Sequence, residues 1–179
     1  MNGADVPSRD VARGVDRGMI KTLIGGATHC RPGRVRAIDI GVNNTIPHSF
    51  AIGVDPADID FMGHVNNASY LKWVQDAVLD HWRAFAPAEA VARHLWVALR
   101  HEITDRQPTF RGDDVIATVL LEKVPGARAC DQTIIRRGED VLAEVTSSWC
   151  CLDAATLRPA RLASEVVTRF FRSEGAAAE

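Results

Sequence analysis

The sequence predicts an α+β fold in which one long helix packs against a five-stranded antiparallel sheet, and three observations carry that expectation. One run of about twenty residues places apolar side chains at helical steps, five shorter runs alternate as strands do, and compact turn signals separate the later strands. The order is one strand, the helix, then four strands. A helix gathered onto one face of an antiparallel sheet is an α+β layer arrangement.

Residues 1–47 mix Arg, Asp, Gly and Asn without a sustained period and read as a flexible extension. Within it, 19–24 is long enough for one turn of helix, and Met19 is an alternative start. Phe50, Ile52 and Val54 alternate with Ala51 and Gly53, which predicts the first strand. It should end near Asp55-Pro56, because proline cannot donate to a sheet ladder. From about 66 to 85, Tyr70, Val74, Ala77, Val78, Trp82 and Phe85 recur at three- and four-residue steps, with Lys72, Gln75, Asp76 and Arg83 on other faces. Asn66 and Asn67 are the N-cap candidates, since a short side-chain oxygen accepts from the open N–H groups of a first turn. Pro87 closes the other end.

Four β-like runs follow, at 95–103, 115–123, 129–136 and 141–152. Pro125-Gly126 and Arg137-Gly138-Glu139-Asp140 are turn signals, so these strands are expected to form an antiparallel meander. Ser164 is the expected cap of a last amphipathic piece that runs to Phe171. The domain is thus expected to span 48–172, with 173–179 as a disordered tail.

Composition narrows the function classes. The chain has 179 residues, 46% hydrophobic and 25% charged, which suits one domain with a real core. A formal net charge of −2 argues against a nucleic-acid partner. No apolar stretch approaches the ~20 residues that span a bilayer and the start lacks a signal-peptide pattern, so no membrane partner and a cytoplasmic location are expected. Cys30, Cys130, Cys150 and Cys151 show no zinc spacing and are expected to be reduced thiols. One covered sheet face leaves apolar surface and open edges, for which a homodimer or homotetramer is the natural remedy.

The chemistry concentrates between Asp58 and Tyr70, where two carboxylates, an imidazole, a glycine and two asparagines lie just before the long helix. An aspartate is ionised at neutral pH and can take a proton from water, while open helix N–H groups stabilise negative charge developing on a carbonyl. Asp60 is the base or nucleophile candidate, against the plainer reading that it caps the loop. Asp58 reads as a turn residue that bonds backbone groups. His64 either bonds a substrate carbonyl, orients Asp60 or locks the turn. Gly63 supplies a positive φ angle or room for a substrate to approach. Asp58, Asp60 and His64 match no strong metal signature, and no Gly-x-Ser-x-Gly elbow is present. Arg106, Arg111, Lys123, Arg128 and Arg136 read as surface charge that could also meet phosphates, and Tyr70 and Trp73 as core that could also line a substrate channel.

The pattern Asp58-x-Asp60-x-x-Gly63-His64-Val65-Asn66-Asn67-x-x-Tyr70-Leu71 resembles the acyl-CoA thioesterases of the hot-dog fold, the group that includes 4-hydroxybenzoyl-CoA thioesterase. The resemblance extends from about 50 to 167 and takes in Arg111-Gly112-Asp113-Asp114 and the stretch from Leu152 to Pro159. It implies a sheet wrapped around the central helix and hydrolysis of an acyl-CoA thioester to a free acid and coenzyme A, with no metal or prosthetic group. It implies that Asp60 attacks or activates water, with His64 beside it and the backbone N–H of Asn67 as oxyanion donor. Gly63, Val65, Asn66 and Tyr70 are the substrate-binding positions it implies. Plant acyl-carrier-protein thioesterases are similar here but carry Asp, Asn and His at alternate places. Met62 stands where their Asn would be, which argues against a carrier-protein substrate. An enoyl-CoA hydratase or dehydratase and a non-catalytic acyl-CoA-binding protein are the rival readings.

Overall fold

The computed structural model describes residues 44–172, so the tail expected at 173–179 and most of the expected extension lie outside the described residues. The elements are β1 (His48–Ile52), a 3-10 turn (Pro56–Asp58), α1 (Asn67–Phe85), α2 (Ala88–Arg93), β2 (His94–Asp105), β3 (Val115–Lys123), β4 (Arg128–Arg137), β5 (Asp140–Asp153), α3 (Ser164–Val167) and a closing 3-10 turn (Thr168–Phe170). They form the expected hot-dog arrangement, five antiparallel strands in the order β1-β3-β4-β5-β2 with α1 packed on β1 and β3.

Strands β3 to β5 are the expected meander, but β2 is not part of it. It crosses to the far edge and pairs with β5, from His94 opposite Asp153 to Asp105 opposite Ala143. The place beside β3 is already taken, since β1 pairs along β3 from His48 opposite Val119 to Ile52 opposite Val115. β2 therefore adds at an edge of the sheet, on the open side of β5.

The helix forms where its spacing predicts. Tyr70, Trp73, Val74, Ala77, His81 and Trp82 are its buried residues, and they meet a strand whose Val115, Ala117, Val119 and Leu121 are buried at every second position. Full burial of an aliphatic or aromatic side chain of this size stabilises by about 1.5–3 kcal/mol, so the shared face of α1 and β3 dominates the core. Ala86 ends the helix, its N–H donating to the Trp82 carbonyl, and Pro87 then starts α2. That six-residue helix has no counterpart in the expected elements, because it is too short to display a period.

At the C-terminal end Ala163, not Ser164, occupies the N-cap and makes no side-chain bond. Ser164 has already entered the helix, one position too late for its hydroxyl to cap. The segment beyond folds back onto the start of the described chain. Ile46 N–H donates to the Phe170 carbonyl (2.9 Å), Thr45 bridges Phe171, and Arg172 N–H donates to the Asn44 carbonyl (2.6 Å). Phe170 stacks on Trp82 with ring centroids 5.8 Å apart, which docks this strap on α1. Cys150 and Cys151 are buried free thiols as expected, and burial pushes the Cys151 thiol up to about 12. Cys130 departs from that expectation, being disulfide-bonded.

Candidate active site

The loop between β1 and α1 is built by its aspartates. Asp55 caps the 3-10 turn by accepting from Ala57 N–H (2.8 Å), and Asp58 returns the bond by accepting from Asp55 N–H (3.1 Å). Asp58 is therefore committed to backbone, as its sequence context suggests. The chain then reverses: Ile59 bridges Val65, Asp60 N–H donates to the His64 carbonyl (2.9 Å), and Gly63 N–H donates to the Asp60 carbonyl (3.1 Å). Gly63 completes the reversal at φ +83°, a backbone conformation that L side chains rarely adopt. A Cβ built there meets nothing within 4 Å, so the dihedral, not crowding, calls for glycine.

Asn66 is the N-cap of α1. Its side-chain oxygen accepts from Ala68 N–H (2.9 Å) and its carbonyl accepts from Ser69 N–H (2.9 Å). The remaining donor of this end, the N–H of Asn67, belongs to the first helical residue and has no intrahelical acceptor. The Asn67 side chain is held aside, donating to Asp105 at 3.1 Å.

Thr109 joins loop to helix. It is fully buried, its carbonyl accepts from Val65 N–H (2.8 Å), and its hydroxyl meets the Tyr70 hydroxyl at 2.7 Å. Burial pushes the Tyr70 phenol above its usual range, with the Thr109 bond opposing. Thr109→Val removes the hydroxyl and strands a buried phenol, so an unfolding stability lower by about 1–3 kcal/mol is expected, with Thr109→Ser recovering most of it. Denaturant titration of the three proteins checks this, and equal midpoints would remove the Thr109–Tyr70 bond as a support of the site.

Asp60 and His64 adjoin. Asp60 Oδ1 accepts from Met62 N–H at 2.8 Å, while Oδ2 has no hydrogen bond among the described residues and lies 3.7 Å from His64 Nδ1. His64 Nδ1 is 3.1 Å from the Val65 carbonyl, which can only accept, so Nδ1 carries a proton and the neutral ring keeps its lone pair on Nε2. A cleft of about 370 Å³ opens beside them.

Of the residues singled out from sequence, His64, Val65, Asn67 and Tyr70 line this cleft. Asp60, Gly63 and Asn66 stand outside its wall, with Asp60 next to His64 and Asn66 occupied as the cap. Tyr70 contributes ring rather than hydroxyl, since its oxygen is taken up by Thr109. Arg106, expected as surface charge that could also meet phosphates, lines the cleft too, together with Asp105, Gln107 and Pro108, which the sequence did not single out. Arg106 is paired with Glu144 at 2.8 Å. Among the described residues no group of three or more His, Cys, Asp or Glu could hold a metal ion.

With this geometry in view, three comparisons bear on the chain. The profile of a family described as the thioesterase-like superfamily matches residues 54–170. A search of curated proteins finds no match. Among solved structures, a thioesterase complexed with coenzyme A and Zn from Thermus thermophilus is similar at 23% identity and a TM-score of 0.60, covering 68% of this chain and 95% of that one. A probable thioesterase from Escherichia coli gives 22% and 0.60, covering 69% and 98%. A 1,4-dihydroxy-2-naphthoyl-CoA thioesterase from Synechocystis gives 18% and 0.57, covering 69% and 95%. At these identities the solved structures speak for the fold.

Proposed function

Because the chain belongs to the thioesterase-like superfamily, we propose that it is an acyl-CoA thioesterase, hydrolysing its substrate to a carboxylic acid and coenzyme A. One observation carries this reading: an uncommitted Asp60 oxygen beside His64 lies at the same loop-to-helix junction as an Asn67 N–H without an intrahelical acceptor. In the proposed reaction Asp60 takes a proton from water as the water oxygen bonds the thioester carbon. The carbonyl oxygen becomes an oxyanion facing the Asn67 N–H, and the carbon–sulfur bond then breaks to release the coenzyme A thiolate. Losing one such donor typically costs about 2.7–4 kcal/mol of transition-state stabilisation. Direct attack by Asp60 through a mixed anhydride is the variant of the same reading, closed by water in a second step.

Purified protein assayed against short-chain, long-chain and aromatic acyl-CoAs, with free thiol detected by a chromogenic disulfide, is expected to release thiol from at least one class. Silence across the whole panel would overturn the assignment. Conversion of an enoyl-CoA without thiol release would move it to the hydratases.

His64 lines the cleft whereas Asp60 does not, and this favours a second reading in which His64 Nε2 activates the water and Asp60 orients the ring. Under that reading His64→Gln loses activity as completely as Asp60→Asn. Under the first it loses far less.

A homo-oligomer is part of the proposal. β2 carries the half-exposed Leu95 and Val97 and pairs only with β5, leaving a twelve-residue edge open among the described residues. Light scattering after size exclusion should give a multiple of the 19.5 kDa chain mass, and a monomer at working concentration would refute it.

A further inference from the structure

The cleft at the loop-to-helix junction has Asp105 and Arg106 in its lining, and the end of β2 places both. Asp105 is the last residue of the strand, opposite Ala143 of β5. The N–H groups of Arg106 and Gln107 then both donate to the Leu142 carbonyl, at 2.8 and 3.2 Å, which pins the chain as it leaves the sheet. So held, the Asp105 carboxylate stands against the first turn of α1, where its Oδ2 accepts from the Asn67 side-chain N–H at 3.1 Å.

The two charges differ in what balances them. Arg106 is ion-paired with Glu144 at 2.8 Å. Asp105 forms no ion pair among the described residues, and its one hydrogen-bond partner there is the neutral Asn67 amide. An amide donor holds a carboxylate in place without cancelling its charge. That charge is felt inside the cleft: burial is the main reason the Tyr70 phenol keeps its proton above the usual range, and Asp105 adds to it. A second carboxylate, Asp60, lies next to His64, so nothing at this end of the cleft offsets the first. The two ends of an acyl-CoA are unlike, since the coenzyme A end bears phosphates and the acyl end does not. An uncompensated carboxylate suits the uncharged end.

We propose that Asp105 is a specificity-determining residue: the acyl group runs past its carboxylate, so the enzyme takes uncharged acyl groups and rejects those that end in a carboxylate of their own. This rests on the thioesterase reading and narrows its substrate class. Repulsion between like charges a few ångström apart in a solvent-accessible cleft corresponds to a preference of about tenfold or more.

The test compares butyryl-CoA with succinyl-CoA, and 4-methylbenzoyl-CoA with 4-carboxybenzoyl-CoA, on the full chain. Each pair exchanges a methyl group for a carboxylate, and the coenzyme A charges cancel in the ratio. The measure is kcat/KM, or the inhibition constant against the best substrate where a member reacts slowly. The neutral member is expected to be favoured about tenfold or more. Asp105→Asn keeps an acceptor oxygen for the Asn67 amide and should cut the preference to about twofold, since only the charge is lost. Any change the variant makes at the oxyanion falls on both members alike. Raising the salt to about 1 M, where the screening length is ~3 Å, should also shrink the wild-type preference, and this decides the matter if Asp105→Asn fails to fold. Equality within the pairs, or a preference that neither the variant nor salt reduces, overturns the proposal and leaves the thioesterase reading standing. Thiol release from no acyl-CoA of any kind overturns that reading instead, and this one with it.

Discussion

Asp60→Asn is expected to lower kcat by about 10²- to 10⁴-fold on whichever acyl-CoA proves to be a substrate, the range typical of losing a positioned general base. The substitution is nearly isosteric. Its carboxamide oxygen can still accept from Met62 N–H, as Oδ1 does, but its nitrogen cannot take a proton from water or attack a carbonyl. The Asp60 side chain is largely covered but the amide keeps the Met62 N–H bond, so unfolding stability should change by no more than about 1.5 kcal/mol. Kinetics and a thermal melt on the same preparation separate the two effects. Full activity in a folded variant would take Asp60 out of the mechanism, and lost activity with a collapsed melt would show that the loop needs the carboxylate for its own shape.

The stability of the protein should rise between about pH 4 and 6.5, where half-buried His101 is also held below its ordinary value, and then fall by about 2 kcal/mol towards pH 8. Asp131 and His81 carry the largest opposing contributions. Asp131 is raised from 3.8 to about 8, so the folded state keeps a proton that the unfolded chain releases. Its contribution is fully present below 3.8 and is lost as pH rises through about 8. His81 is lowered from 6.5 to about 4, mainly by burial and then by the neighbouring His48, so its contribution is present above 6.5 and is lost as pH falls through about 4. The two oppose each other across the acidic half of the range, and above pH 6.5 Asp131 acts alone. Asp131→Asn keeps a neutral acceptor for the Trp149 indole and should abolish the alkaline decline. Urea titrations of both proteins at pH 6.5 and pH 8 provide the check. An equal decline in the variant would assign it to some other group.

The strands, the helix and its cap were legible because each has a local cause. Alternation predicts β3 to β5 closely, helical spacing predicts α1, and the short oxygen of Asn66 is where a cap belongs. What could not be read is which strand lies beside which. The alternation of β2 says that it is a strand but not that β1 holds the place next to β3, so its pairing with β5 emerges only from the assembled sheet. The candidate site divides the same way. Asp60, Gly63, His64 and Asn67 sit in one compact motif, whereas Thr109 and Asp105 belong to the end of β2 and the aperiodic loop after it. Proline at 108 marks that stretch as a loop, but only the crossing of β2 brings Asp105 to Asn67 and Thr109 to Tyr70.

The strap that joins Asn44 to Arg172 has a topological consequence. The two ends of the folded unit are hydrogen-bonded to each other, so whatever precedes and follows them departs from neighbouring points on one side. A short peptide bridging those points would close the chain into a ring, and new ends could be opened at the exposed Glu139 in the tight turn between β4 and β5. For the same reason the unit could be spliced into a surface loop of a host protein without stretching that loop apart. In such a fusion the loop-to-helix junction would remain intact, free to be assayed in a chain whose order differs from the one that encodes it.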